Sequence, residues 1–321
     1  MKAQALWTIS NGVADIRSEQ LTEPGPDEAV VRSLWSGISR GTERLVFAGK
    51  VPAAEYERMR APMMGGNFPF PVKYGYAAVG LVEKGPSHLE GRTVFCLHPH
   101  QDRFIAPVAM LAPVPKNVPT KRATLTANME TALNGVWDSG AGPSDTIVIV
   151  GAGIVGLLIA AIVAAMPGTD VTVIDVNRSR AHQATQLGAR FAVPSEAPKN
   201  SDVVFHASVT PQGLATAIGC AGNEARIVEL SWYGSDLTPV PLGGAFHSQR
   251  LQLVSSQVGQ IAQTRRPRWD YARRRDAALA LLADERLDCL ITEEVAFSDL
   301  PATLPRIFAP GAPGLQTVVR Y

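Results

Sequence analysis

The sequence is short of charge, of cysteine and of any imbalance between acids and bases. Charged residues make up 18% of its 321 positions, against 46% hydrophobic residues, so a large core can be buried. Lys plus Arg numbers 30 and Asp plus Glu 29, a net charge of +1. That balance excludes a general attraction to nucleic acid or to an anionic membrane. Cys96, Cys220 and Cys289 lie far apart, and so supply neither a disulfide framework nor a clustered zinc site. No apolar run precedes Asp15, as a secretory signal would require. A soluble, cytoplasmic protein is expected, with neither nucleic acid nor membrane as partner. The length suits two domains, and there is no internal repeat or low-complexity segment.

One long run without charge is present: TIVIVGAGIVGLLIAAIVAAM, Thr146 to Met166. By length it could span a bilayer, but its internal order points elsewhere. Ile147 to Val150 is β-branched, as in a fully buried parallel strand. The glycines Gly151, Gly153 and Gly156 follow at GxGxxG spacing, then a helix-forming run that stops at Pro167-Gly168. A second strand-like run, VTVID, ends in Asp175, nineteen residues beyond Gly156. This is the dinucleotide pattern. Gly151 allows the tight turn, Gly153 lets backbone approach a pyrophosphate, and Gly156 lets helix and sheet pack closely. Ile154 and Val155 open the helix, whose unpaired N–H groups attract phosphate. Asp175 can accept both ribose hydroxyls, with Val176 beside it, and its charge would repel a 2′-phosphate. NAD is therefore favoured, with NADP the alternative because Arg178 and Arg180 follow closely.

The alternation continues through DVVFHAS, a strand leading to Ser208, a further cofactor-binding candidate, and through PQGLATAIGCAG, ARIVELSW and LQLVSSQVG. An α/β fold with a doubly wound parallel sheet is expected over residues 118–260. Before it, short alternating runs such as EAVVRSLW, YAAVGLVE and TVFCLH, broken by Gly and Pro, suggest a small antiparallel barrel over residues 1–117. Residues 261–321 are expected to return to and complete that first domain. The segment RRPRWDYARRR mixes six arginines with Trp269 and Tyr271. With near-zero net charge it reads as a solvated helix start or a packing surface rather than a nucleic-acid reader.

The order of barrel, nucleotide domain and returning tail resembles the medium-chain dehydrogenase/reductase superfamily of zinc-type alcohol dehydrogenases and their zinc-free relatives. Gly37-Ile-Ser-Arg-Gly-Thr-Glu43 resembles the segment holding the first zinc ligand of that superfamily. Lys73-Tyr-Gly-Tyr-Ala-Ala-Val-Gly80 resembles the segment holding the second, and Gly91-Arg-Thr-Val94 its GDRV strand. Within the superfamily the motifs are most similar to the hydroxyethyl-bacteriochlorophyllide dehydrogenase-like branch. The resemblance implies a Rossmann domain with a GroES-like β-barrel catalytic domain, hydride transfer between nicotinamide and an alcohol or carbonyl substrate, and a homodimer. It does not carry the metal. Ser39, or Arg40 with a different gap, stands where the family has Cys; Tyr76 and Ala77 stand for His and Glu; the four-cysteine lobe is missing. Serine and tyrosine are not ordinary zinc ligands.

Without zinc, hydride transfer still needs a proton-handling group and a donor to the alkoxide-like oxygen. The candidates are the hydroxyls of Ser39, Thr42 and Tyr76, with Glu43, His98 and His100 as acid–base groups. Asn128 and Glu130 are further from the motifs. Two alternatives stay open: a nucleotide-binding regulatory protein without turnover, and a zinc enzyme using His98, His100 and Glu43.

Overall fold

The computed structural model describes residues 1–321, which divide into two compact units. The first unit comprises residues 1–127, 279–283 and 291–321; the second comprises 128–278 and 284–290.

In the first unit the strands are short and mostly antiparallel. Lys2–Ser10 pairs with Val13–Gln20 on one side and meets the Val72–Lys73 strand on the other. The larger sheet centres on Glu28–Ile38, which takes Ala78–Lys84, Arg103–Pro107 and Gln316–Arg320 as antiparallel neighbours. Alternation in EAVVRSLW places Ala29 and Val31 in a core with Ala78, Val82, Val94 and Phe104. The C-terminal strand is thus built into the N-terminal unit, with Ile291–Ala296 parallel to it at the edge.

The second unit holds a six-stranded, wholly parallel sheet. Its order is Arg190–Ala192, Asp170–Ile174, Thr146–Val150, Ser201–His206, Ala221–Glu229, Gln252–Ser255. In chain order this is 3-2-1-4-5-6, the Rossmann arrangement. The long uncharged run is therefore a strand, a turn and the helix Ile154–Ala164, in which Leu157, Leu158 and Ile159 are fully buried. Burying each such side chain contributes about 1.5–3 kcal/mol, which accounts for the run without a bilayer. No helix is long and apolar enough to cross a membrane.

The division differs from the expected boundaries. Residues 118–127 pack with the first unit, and 261–278 and 284–290 with the second. The reason is a set of contacts that hold the arginine-rich segment to the helix Thr126–Ser139. Arg274 Nε lies 3.1 Å from Glu130 Oε1, and its Nη1 donates to Asn134 Oδ1 at 3.0 Å. Trp269 packs on Trp137 at 4.7 Å between ring centroids, with the Arg273 guanidinium 4.1 Å above Trp269. The Trp269 and Arg274 side chains are thus spent on packing. Glu130 is 4% exposed, and burial raises its pKa against the opposing pull of Arg274. Removing one partner of a buried pair leaves the other without compensation, so Arg274→Ala is expected to cost about 3–5 kcal/mol in denaturant unfolding. An unchanged midpoint would show the pair to be dispensable.

Candidate active site

The first functional region lies in the second unit, where the sheet changes winding direction. Gly151 leaves the first strand at φ +112°, and a Cβ there would sit 2.8 Å from Ser208 N, at the end of the fourth strand. A Cβ on Gly156 would lie 2.0 Å from Gly151 O, so only glycine closes this turn. Gly153 is the opposite case: a Cβ there would meet no protein atom within 4 Å, which leaves open space in front of the helix. The helix begins at Ile154, with Leu157 N donating to Gly153 O at 2.9 Å. The N–H groups of Ile154 and Val155 precede that first bond and face no helical partner. Open space beside unpaired amides at a topological switch point is a seat for a diphosphate.

Asp175 stands at the end of the neighbouring strand. Its Oδ2 accepts Ala152 N at 2.7 Å and its Oδ1 accepts Asn177 N at 2.8 Å. The carboxylate thereby ties the glycine turn to the second strand and keeps lone pairs for a ligand. Val176 is 83% exposed beyond it. Arg180 is close enough to feel the Asp175 charge, though partial burial lowers its pKa. Arg178 instead pairs on the surface with Glu196.

The second region lies in the first unit. The Tyr76 hydroxyl lies near those of Ser39 and Thr42, and all three residues are partly exposed. Burial, followed by the nearby Glu43 carboxylate, pushes the Tyr76 phenol up to about 12. Glu43 lies on the helix Arg40–Phe47, buried, with both oxygens engaged: Oε1 accepts Ser39 N at 2.7 Å, and Oε2 lies 3.0 Å from His100 Nε2. The other ring nitrogen of His100 meets Ser36 Oγ at 2.7 Å, and Ser36 Oγ meets the Tyr321 hydroxyl at 2.9 Å. A continuous polar chain therefore runs from Tyr321 through Ser36 and His100 to Glu43, beside the three hydroxyls. A small cavity lined in part by Thr8, Glu43, Tyr74 and His100 adjoins it. Arg40 is held by the carbonyls of Ala312, Pro313 and Gly314, which fixes the start of the helix.

The structure thus brings Ser39, Thr42, Tyr76, Glu43 and His100 together and leaves His98 apart. The His98 ring stacks on Phe104 at 3.9 Å and 12°, with Nδ1 2.9 Å from the Pro99 carbonyl. Burial drives its pKa down to about 3. His98 is then neutral in the folded chain below pH 6.5, where the unfolded chain takes up a proton. Stability contributed by neutral His98 is present above that pH and lost as pH falls towards 3, at up to about 1.4 kcal/mol per unit. His98→Phe should give a shallower fall in unfolding free energy between pH 7 and pH 5; an identical slope would remove this account.

These residues do not suit the superfamily's zinc. No three His, Cys, Asp or Glu side chains converge to hold a metal ion. Both His100 nitrogens and both Glu43 oxygens already have partners, and His98 faces Phe104.

The two units have the folds found in solved dehydrogenase structures. Residues 123–228 match the family described as the alanine dehydrogenase/PNT C-terminal domain. Two curated relatives are similar in sequence. One is the 2-dehydro-3-deoxy-L-galactonate 5-dehydrogenase of Pseudoalteromonas atlantica, 27% identical over 199 residues, 59% of this chain and 54% of that protein. The other is the sorbitol dehydrogenase of Homo sapiens, 24% identical over 294 residues, 75% of this chain and 78% of that one. The chain thus spans about half the length of the first and most of the second. L-idonate 5-dehydrogenase from Escherichia coli K-12 superposes with a TM-score of 0.82 at 14% identity, over 100% of this chain and 99% of its own. The likeness to that structure is one of fold.

Proposed function

We propose that the chain is an NAD(H)-preferring oxidoreductase that moves a hydride between nicotinamide and an alcohol or carbonyl substrate. The observation that carries this reading is the open glycine turn at the switch point, with Asp175 anchored beside it. The second unit supplies the coenzyme seat. Asp175 receives the ribose hydroxyls, and its charge disfavours a 2′-phosphate. NADH is expected to bind more tightly than NADPH in calorimetry. Asp175→Ala should weaken NADH at least about tenfold, because a charged hydrogen-bond partner is lost and the turn is loosened. Equal affinities in the variant and the parent would remove Asp175 from the account.

The first unit supplies the proton-handling group. A phenol at about 12 stays protonated at neutral pH, yet is far more acidic than the alcohol that an alkoxide becomes on protonation. Tyr76 therefore donates to the oxygen of a carbonyl as hydride arrives, oriented by Ser39 and Thr42. The chain from Glu43 through His100 to Tyr321 holds this group in place from beneath. The named relatives act on polyols and sugar acids by name, which supports a small polyhydroxylated alcohol or ketone as substrate. A cytoplasmic homodimer without the usual catalytic zinc fits the same reading. Protein purified without chelator should carry substoichiometric zinc and keep its turnover after chelation. One zinc per chain, with activity lost on its removal, would favour a metal enzyme with atypical ligands.

A further inference from the structure

A second set of catalytic-type side chains lies in the nucleotide unit, and the proton transfer proposed above does not use it, though Ser208 is also a cofactor-binding candidate. The strands Ser201–His206 and Ala221–Glu229 pair in parallel with His206 opposite Glu229. Both residues end their strands, at the carboxyl edge where ligands meet such sheets. His206 Nδ1 lies 2.7 Å from Glu229 Oε2, and His206 Nε2 lies 2.7 Å from Ser208 Oγ. The Glu229 carboxylate is fixed from the far side by Ser231 N, which donates to Oε1 at 2.7 Å. The ring of His206 is fully buried, whereas Ser208 is partly exposed.

The neighbouring helix Pro211–Cys220 is shaped around this contact. A Cβ on Gly213 would lie 2.0 Å from Ser208 Oγ and 2.8 Å from His206 Nε2. Any other residue there would push the hydroxyl off the imidazole. Thr210 caps the helix by accepting Gly213 N at 3.0 Å, and its hydroxyl lies 3.0 Å from Ser208 Oγ. With Thr210 donating to Ser208, the Ser208 proton is directed at Nε2.

Acid on Nδ1 and hydroxyl on Nε2 is the arrangement that activates a serine. Glu229 holds the proton on Nδ1 and leaves the Nε2 lone pair free to take another. We propose that Ser208 is an activated nucleophile that accepts acyl groups from small uncharged carboxylic esters. Its Oγ–C bond forms as the proton passes to His206 Nε2. The ester C–O bond then breaks, and the proton leaves with the alcohol. Water, deprotonated by the same nitrogen, attacks the acyl-serine and releases the acid with Ser208 restored. The charged partner in the cluster is Glu229, which disfavours anionic esters. At the helix start Pro211 has no N–H and that of Gly213 is taken, leaving the Gln212 amide to stabilise the oxyanion.

The test uses the full chain without coenzyme, so its outcome is independent of hydride transfer. p-Nitrophenyl acetate hydrolysis is followed by absorbance, and a fluorophosphonate adduct is mapped by peptide mass spectrometry. A single adduct on Ser208 is expected. Hydrolysis should fall about 10²-fold or more in Ser208→Ala and in His206→Gln, and less in Glu229→Gln. No adduct, an adduct on another residue, or undiminished hydrolysis in Ser208→Ala overturns the proposal. Should that variant not fold, adduct mapping on the native chain decides alone.

Discussion

Tyr76→Phe is expected to lower kcat for carbonyl reduction about 10²–10³-fold while leaving NADH affinity unchanged. The substitution removes one oxygen and keeps the ring, so packing against Tyr74, whose ring meets Tyr76 edge-on at 5.9 Å, survives. What is lost is the proton donor to the developing alkoxide, a role worth that much in acid–base catalysis. The pH dependence gives a second readout. Alcohol oxidation needs the phenolate as base. With the phenol held at about 12, the oxidation rate should rise through the alkaline range while reduction stays flat near neutrality. Full activity in the phenylalanine variant would move the proton to another group, and unchanged rates in Thr42→Val would likewise release Thr42. Absence of any turnover with polyols and ketones, alongside firm NADH binding, would favour the regulatory protein.

Glu43→Ala should destabilise the first unit by about 3 kcal/mol. The carboxylate accepts from Ser39 N with one oxygen and meets His100 with the other, and the buried His100 nitrogen is left without that partner once it is gone. Glu43→Gln separates charge from shape. An amide has one accepting oxygen, so it can serve Ser39 or His100 but not both, and an intermediate loss is expected. Denaturant unfolding of the three proteins orders them; equal midpoints would mean that the chain from Tyr321 to Glu43 holds nothing together.

Much of the nucleotide unit was legible because its signals are local. Strand, turn, helix and acid lie within Ile147 to Asp175, and the glycine spacing is read there too, although what crowds Gly151, Ser208 N, lies far along the chain. Ser39, Thr42 and Tyr76 were also nameable, because they occupy positions in recognisable segments. The relations that complete the sites were not. His100 meets Glu43 across 57 positions, and Ser36 meets Tyr321 across 285. His206 meets Glu229 only because two parallel strands adopt one register. A polar residue closing each of two apolar runs, VVFH and IVE, was the available trace. The boundary at residues 261–278 was missed for a similar reason. A buried Arg274–Glu130 pair looks like surface charge until the partner 144 positions away is known. His98 is two positions from His100, yet their rings meet different partners, Phe104 for the one and Glu43 and Ser36 for the other.

The placement of Gln316–Arg320 against Glu28–Ile38 has a consequence for synthesis. Until Gln316–Arg320 has been made, Trp35–Ile38 at the end of that strand lacks a partner on one side, although Glu28–Arg32 on the same side can already pair with Arg103–Pro107. Nascent chains therefore carry a short open strand end until residue 316 has emerged, the kind of surface that chaperones hold and that neighbouring nascent chains stick to. Chains lacking Gln316–Arg320 should for this reason go to inclusion bodies more than chains that keep it.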